Sequence, residues 1–68
     1  MALSIDRFGR NVAAERTRKN WSQEDLAKAC GLSQGSIARY EASLNYPTLE
    51  SALSIAKALG CSIDYLVA

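Results

Sequence analysis

Two helix-start signals lie close together in the middle of this 68-residue chain. Ser22 and Ser33 can each cap a helix. Each is flanked by the apolar pair of a hydrophobic staple, one residue before the cap and four residues after it. Gly31 stands between the two signals, where helices commonly end in a left-handed residue. The pattern predicts two short helices, at about residues 23–30 and 34–41, joined by a tight turn.

Apolar residues recur at helical spacing before this pair, and no run of the chain shows the period-2 alternation of a strand. The spacing predicts a first helix at about residues 5–19, with Ser4 as its N-cap. Its inward stripe consists of Ile5, Phe8, Val12 and Arg16.

A fourth helix is predicted after the loop that contains Pro47. Thr48 is its N-cap, Gly60 stops it, and the helix covers about residues 49–59. We assign the core-facing stripe of this helix to Leu49, Leu53, Ala56 and Leu59, with Ile55 beside it.

Ser62 caps a last predicted helix at about residues 63–67, and Cys61 and Leu66 form its staple. Five helices with short connections predict a compact all-α bundle. At this length we expect one domain, residues 1–68.

The composition excludes several classes of protein. No apolar run approaches the length of about 18 residues that a membrane helix needs, and no signal peptide is evident, so we expect a cytoplasmic protein. The chain has no histidine and only two cysteines, Cys30 and Cys61, which rules out a zinc site or a histidine-based triad within one chain. We expect no enzyme activity, metal, cofactor or small-molecule ligand. The two thiols are expected to be reduced and to pack as small apolar residues, with a redox role as the alternative.

Positive charge is concentrated at the start of the chain. The net charge is only +1, but residues 1–20 carry +3 and residues 21–68 carry −2. A basic segment of this kind attracts anionic partners, although an ordinary solvated helix face has the same appearance. The cations are Arg7, Arg10, Arg16, Arg18 and Lys19.

Two helices joined by a short turn with a glycine form a helix-turn-helix. The stretch WSQEDLAKACGLSQGSIARYE closely resembles this motif in the Cro/CI-type (XRE-like) family of phage and bacterial transcriptional regulators. The tail, YPTLESALSIAKALGCSIDYLV, is similar to the same family's fourth and fifth helices, so the resemblance covers nearly the whole chain. It implies a lambda-repressor-like fold and binding to double-stranded DNA through the helix at 34–41.

The resemblance implies that this recognition helix enters the major groove with its first residues against the bases. The groove is only about 12 Å wide, and the small polar side chains here suit it. Arg39 is suited to guanine and Gln34 to adenine, whereas Gly35 permits close approach of the backbone. The alternatives are a solvated first-turn residue for Gln34 and a helix-end cation for Arg39. The expected base contacts are Ser33, Gln34, Gly35, Ser36 and Arg39.

Phosphate contacts are expected at the start of the second helix, where unpaired N–H groups favour an anion. Ser22 and Gln23 occupy that position, although Gln23 is also acceptable as an ordinary first-turn residue. The resemblance also implies an ion pair between Arg16 and Glu41 that ties the first helix to the recognition helix. Arg16 is thus mainly structural, with a second role near phosphate left open.

The loop after the recognition helix departs from the family pattern. Ser43 and Leu44 stand where the family commonly has glycine and a cation, and residues 42–48 contain no cation. Asn45 and the Tyr46 hydroxyl remain as candidate phosphate donors, with packing of Tyr46 against the domain as the alternative. Fewer cations predict weaker binding and a shallower salt dependence.

The leading prediction is a repressor-like regulator that binds a palindromic operator as a homodimer, because one such domain contacts few base pairs. The resemblance places the dimer surface on the last helix, at Ile63, Tyr65, Leu66 and Val67, with packing into the domain's own core as the alternative for each. A second hypothesis, favoured by the near-neutral charge and Leu44, is an antitoxin-like or adaptor module that keeps the fold with weak or no DNA binding.

Overall fold

The computed structural model describes residues 5–68, which form five helices connected by short loops. The helices are α1 (Ile5–Arg18), α2 (Gln23–Cys30), α3 (Gln34–Glu41), α4 (Leu49–Leu59) and α5 (Ile63–Leu66). The described residues contain no strand, which confirms the predicted all-α fold. Helices α1 and α5 each end one residue before the predicted bound, and the proposed cap at Ser4 lies outside the described residues.

Four of the helices begin at a side-chain cap. The hydroxyl oxygens of Ser22, Ser33, Thr48 and Ser62 each accept a hydrogen bond from the backbone N–H three residues later. Such caps satisfy donors that the first helical turn leaves unpaired. Gly31 and Gly60 end α2 and α4 with φ of 76° and 73°, in the left-handed region that glycine enters without steric cost.

The core is formed by buried side chains from all five helices. α1 packs against α3, α4 and α5, whereas α2 packs against α3 and α4. The side chains with the least exposure are Val12, Leu26, Ile37, Ile55 and Leu66. Each predicted staple thus contributes its second member to the core, because Leu26, Ile37 and Leu66 are all fully buried.

The predicted stripe of α4 was wrong in part. Leu49 and Leu53 are 71% and 52% exposed, and the buried face instead begins at Ala52 and continues through Ile55, Ala56 and Leu59. Ala56 and Leu59 belong to both candidate stripes, so helical spacing alone does not select one. Ala52 therefore lies on the buried face, and the two leucines lie at the surface.

Leu66 was also wrongly placed in the predicted dimer surface. Its side chain is fully buried within the domain, so no partner can contact it. The staple with Cys61 explains this position, because the side chain four residues after a helix cap packs against the residue that precedes the cap.

No helix among residues 5–68 has the length and apolar character required to cross a membrane. The same residues contain no grouping of three or more histidine, cysteine or acidic side chains suited to hold a metal ion.

Candidate nucleic-acid interface

One face of α3 presents polar side chains and a glycine to solvent. Gln34, Gly35 and Arg39 are exposed, whereas Ile37 is fully buried against the core. Residues four apart lie on the same side of a helix, so Gly35 and Arg39 are stacked, and Ile37 points the opposite way. The core contact of Ile37 therefore aims the polar face outward.

The two serines at the start of α3 bind each other. Ser33 Oγ accepts from Ser36 N at 3.1 Å and donates to Ser36 Oγ at 3.0 Å. The hydroxyl proton of Ser36 stays available to an external acceptor. At Gly35, a Cβ would find nothing closer than Ser33 Oγ at 4.0 Å. The structure thus brings all five predicted base contacts together, and Gly35 lies in open space.

The start of α2 is held by a reciprocal capping box. Asp25 N donates to Ser22 Oγ at 3.0 Å, and Ser22 N donates to Asp25 Oδ2 at 2.9 Å. The hydrogen bonds from the Ser22 backbone and side chain lower the pKa of Asp25 below its ordinary value. Since Ser22 N is occupied, the N–H groups left for an anion by helix geometry are those of Gln23 and Glu24.

A hydrogen-bond network joins α1, α2 and α3 beside this helix start. Arg16 Nε donates to Glu41 Oε2 at 2.7 Å, Arg16 Nη2 donates to Glu41 Oε1 at 3.1 Å, and Arg16 Nη1 donates to Trp21 O at 2.7 Å. Gln23 Nε2 also donates to Glu41 Oε1 at 3.1 Å. The hydrogen bond with Glu41 raises the pKa of Arg16, so the guanidinium keeps its charge.

This network bears on the roles expected of two residues. Arg16 uses three of its five guanidinium N–H groups within the protein and only 17% of its side chain is exposed, so its main role is positioning, and its phosphate contact stays a prediction. Gln23 is tied to Glu41 through its amide nitrogen, which leaves its backbone N–H and its remaining amide proton for phosphate. Lys19 Nζ lies 5.4 Å from the centre of the Trp21 ring and places a cation in the loop between α1 and α2.

The loop after α3 is open to solvent. Leu44 and Tyr46 are 72% and 67% exposed, and Asn45 is exposed as well. The exposure of Tyr46 argues against the alternative in which it packs into the domain. Ser43 has φ of +62°, so the position that the family commonly gives to glycine is left-handed in this chain too.

The residues predicted for a dimer surface separate onto different sides of α5. Tyr65 faces α1, where its hydroxyl donates to Glu15 Oε2 at 2.8 Å. Ile63 faces α4 and lines an open groove with Leu53, Lys57 and Asp64. Val67 is half-buried against the core.

Sequence reasoning missed two features of this region. Leu53 was assigned to the core, and the groove it forms with Ile63 was not foreseen. The close contact of Gly9 with the end of α3 was also missed. A glycine inside an apolar helical stripe, immediately after Phe8, was the signal that pointed to such an approach.

Comparison with known proteins confirms the resemblance. A family model described as helix-turn-helix matches residues 12–66. Repressor protein C2 of Salmonella phage P22 is 37% identical over 65 residues, which cover 96% of this chain and 30% of the repressor. The HTH-type transcriptional activator BcrR of Enterococcus faecalis is 35% identical over 60 residues, which cover 88% of this chain and 29% of the activator. The chain thus spans less than a third of the length of either curated relative.

Solved structures show the same architecture. The restriction-modification controller protein C.AhdI from Aeromonas hydrophila is 31% identical and superposes with a TM-score of 0.86, covering 91% of this chain and 94% of the controller. The P22 c2 repressor, solved in complex with a synthetic operator, superposes with a TM-score of 0.84 at 37% identity, covering 88% of this chain and 91% of that one.

Proposed function

The chain belongs to the helix-turn-helix family, and from this premise we propose that it is a repressor-like transcriptional regulator that binds double-stranded DNA by sequence. A regulator bound to bacterial or phage DNA acts in the cytoplasm, which is the compartment we propose. The relatives support this role, since one is named a repressor and was solved with an operator, and another is named a transcriptional activator.

The observation that carries the proposal is the exposed face of α3. It combines Gln34, Gly35 and Arg39 with no bulky apolar side chain, and Ile37 anchors the opposite side in the core. A helix that enters a groove about 12 Å wide needs such a face. Arg39 bound to guanine and Gln34 bound to adenine would each contribute about 1–3 kcal/mol of discrimination. Ser36 flanks them with a hydroxyl proton available to an acceptor, and Ser33 lies beside it.

Phosphate binding would position the domain on the duplex. We assign it to the start of α2, through the Ser22 hydroxyl and the backbone N–H of Gln23, and to Asn45 and Tyr46 on the loop after α3. The carboxylates of Glu24 and Asp25 stand in the same first turn and repel an approaching phosphate. We therefore expect weak binding by a single domain and a small dependence on salt.

A homodimer would compensate for this weakness. Two domains related by a two-fold axis would engage half-sites about 34 Å apart on a palindromic operator. We place the dimer surface on the groove between α4 and α5, where Leu53 and Ile63 form an apolar strip and Lys57 and Asp64 carry opposite charges. In a two-fold arrangement Lys57 of each copy can meet Asp64 of the other, so the groove is complementary to itself.

Selection of bound DNA from a random pool tests the proposal. We expect an enriched palindrome, and Arg39→Ala and Gln34→Ala should each remove the preference at one position of the half-site while the fold persists. Arg10→Ala is the matched control, because it removes an exposed cation outside α3 and should weaken binding to all sequences alike. Enrichment of no sequence would contradict base readout.

A protein-interaction module is the second candidate, and the exposure of Leu44 together with a loop without cations favours it. Absence of a retarded complex with any DNA even at low salt would support this module over the regulator.

A further inference from the structure

We propose that Gly9 is a positioning residue: it sets how closely α1 approaches the end of the recognition helix α3, and thereby how α3 meets the bases. This inference rests on the proposed function, because it concerns the same DNA-reading surface.

Gly9 lies directly against the last backbone carbonyls of α3. A Cβ at this position would lie 2.3 Å from Tyr40 O, 3.0 Å from Glu41 O and 3.2 Å from Ser43 Oγ. The first two atoms belong to the backbone at a helix end and cannot rotate away as a side chain can. Any L side chain at position 9 must therefore move α3 away from α1, by about 1 Å for a methyl group, since packed interiors have no free volume to absorb it.

The backbone of α1 does not itself require this glycine. Among the described residues, the glycines with positive φ are Gly31 and Gly60, and Gly9 is in ordinary helical conformation. Glycine disfavours the middle of a helix relative to alanine. The close approach to Tyr40 O is the feature that only glycine permits here. Gly35 is the opposite case, because space is open at its Cβ position.

Two further contacts hold α3 against α1 on either side of Gly9. The ring of Phe8 meets the ring of Tyr40 edge-on, with centroids 6.4 Å apart. About two helical turns beyond Gly9, Arg16 binds Glu41 at 2.7 Å. Both contacts hold the end of α3 against α1. Because Gly9 has no side chain, it sets the shortest distance that the two backbones can reach.

The position of this end controls the base-reading end. Ile37 is fixed in the core near the middle of α3, so displacement of Tyr40 and Glu41 tilts the helix about that point. Hydrogen bonds to base edges weaken steeply over a few tenths of an ångström and with poor alignment. Phosphate contacts from α2 are not carried by α3 and are affected less.

The experiment compares Gly9→Ala with Ala14→Gly in the whole chain. Ala14 is exposed on the same helix, so its replacement lowers helix stability without touching α3. Affinities for the selected operator and for random DNA are measured at a temperature at which both variants are folded. We expect the ratio of the two affinities to fall about tenfold in Gly9→Ala, the loss of about one good base contact, and to stay within about twofold of the parent in Ala14→Gly. NMR or crystal structures should show the end of α3 displaced only in Gly9→Ala.

An unchanged affinity ratio, or an undisplaced α3, in Gly9→Ala would overturn the inference while leaving the proposed function intact. A parent chain that binds no DNA would overturn both. If Gly9→Ala does not fold even in the cold with a stabilising osmolyte, the contact is a requirement for folding and the positioning role is rejected.

Discussion

Arg16 on α1 and Glu41 at the end of α3 form a bidentate ion pair, in which Nε donates to Oε2 at 2.7 Å and Nη2 donates to Oε1 at 3.1 Å. The side chains are only 17% and 8% exposed. Arg16 also donates a hydrogen bond to the carbonyl oxygen of Trp21, the residue before the cap of α2. One guanidinium therefore fixes the start of α2 relative to the end of α3, and these are the two elements of the candidate interface.

Replacement Glu41→Gln should destabilise the domain by about 3 kcal/mol, because it leaves the Arg16 guanidinium partly buried without a counter-charge. Urea unfolding monitored by the fluorescence of Trp21 measures the change. The control is Arg18→Ala, which breaks the surface pair with Glu15 at 3.0 Å, where Arg18 is 70% exposed. A surface pair of this kind contributes less than about 1 kcal/mol. Equal costs for the two variants would show that the Arg16–Glu41 pair contributes no more than a surface pair.

Ser43 has the left-handed backbone that favours glycine, with φ of +62°. We expect Ser43→Gly to be more stable than Ser43→Ala by about 1 kcal/mol, since an L side chain in this region is strained. The alanine variant is the reference because both replacements remove the same hydroxyl. Chemical denaturation of the pair gives the difference, and equal stabilities would mean that this turn carries no strain.

The capping box at the start of α2 predicts a dependence of stability on acid. The pKa of Asp25 is lowered in the folded protein by its hydrogen bonds with Ser22, so the stabilisation is complete above the unfolded pKa of about 4 and is lost as pH falls through the folded value. Between about pH 5 and pH 2 the parent should lose more unfolding free energy than Asp25→Asn, and the two should converge at the acid end. Glu24→Gln, in the same helical turn, controls for loss of a negative charge. If the free energy of unfolding varies with pH in the same way for the parent and Asp25→Asn, the capping box does not contribute to stability.

The proposed dimer surface can be tested by exchanging its charges. Lys57→Glu should weaken association and operator binding, because it places two acidic groups opposite each other across the two-fold axis. The double variant Lys57→Glu with Asp64→Lys should recover both, since it restores opposite charges in every copy. Sedimentation equilibrium with and without operator DNA measures the effect. Failure of the double variant to recover would place the dimer surface elsewhere.

Local features of this fold were predictable from the sequence. The caps at Ser22, Ser33, Thr48 and Ser62 depend on groups within three residues, so a short window contains all the interactions that form them. The exposed polar face of α3 was predictable for the same reason, because the apolar Ile37 fixes which side of the helix is buried.

Features set by distant residues were not predictable in this way. The choice between the two stripes of α4 depends on which face meets the other helices, and both stripes share Ala56 and Leu59. The constraint on Gly9 comes from Tyr40, which lies about thirty residues away in the sequence. A periodic pattern does not predict a contact between residues so far apart. The tie between Gln23 and Glu41 likewise arises only when α1, α2 and α3 are assembled.

Gly35 is expected to have opposite effects on stability and on binding. Gly35→Ala should raise the unfolding free energy by up to about 1 kcal/mol, because alanine is the better helix former and its methyl group would enter open space. The same methyl group would stand between the α3 backbone and the base step that the glycine lets it approach, so affinity for the selected operator should fall. Thermal unfolding and operator titration on one preparation separate the two effects. A variant that is more stable and binds the operator at least as tightly as the parent would show that close backbone approach is not the reason for this glycine.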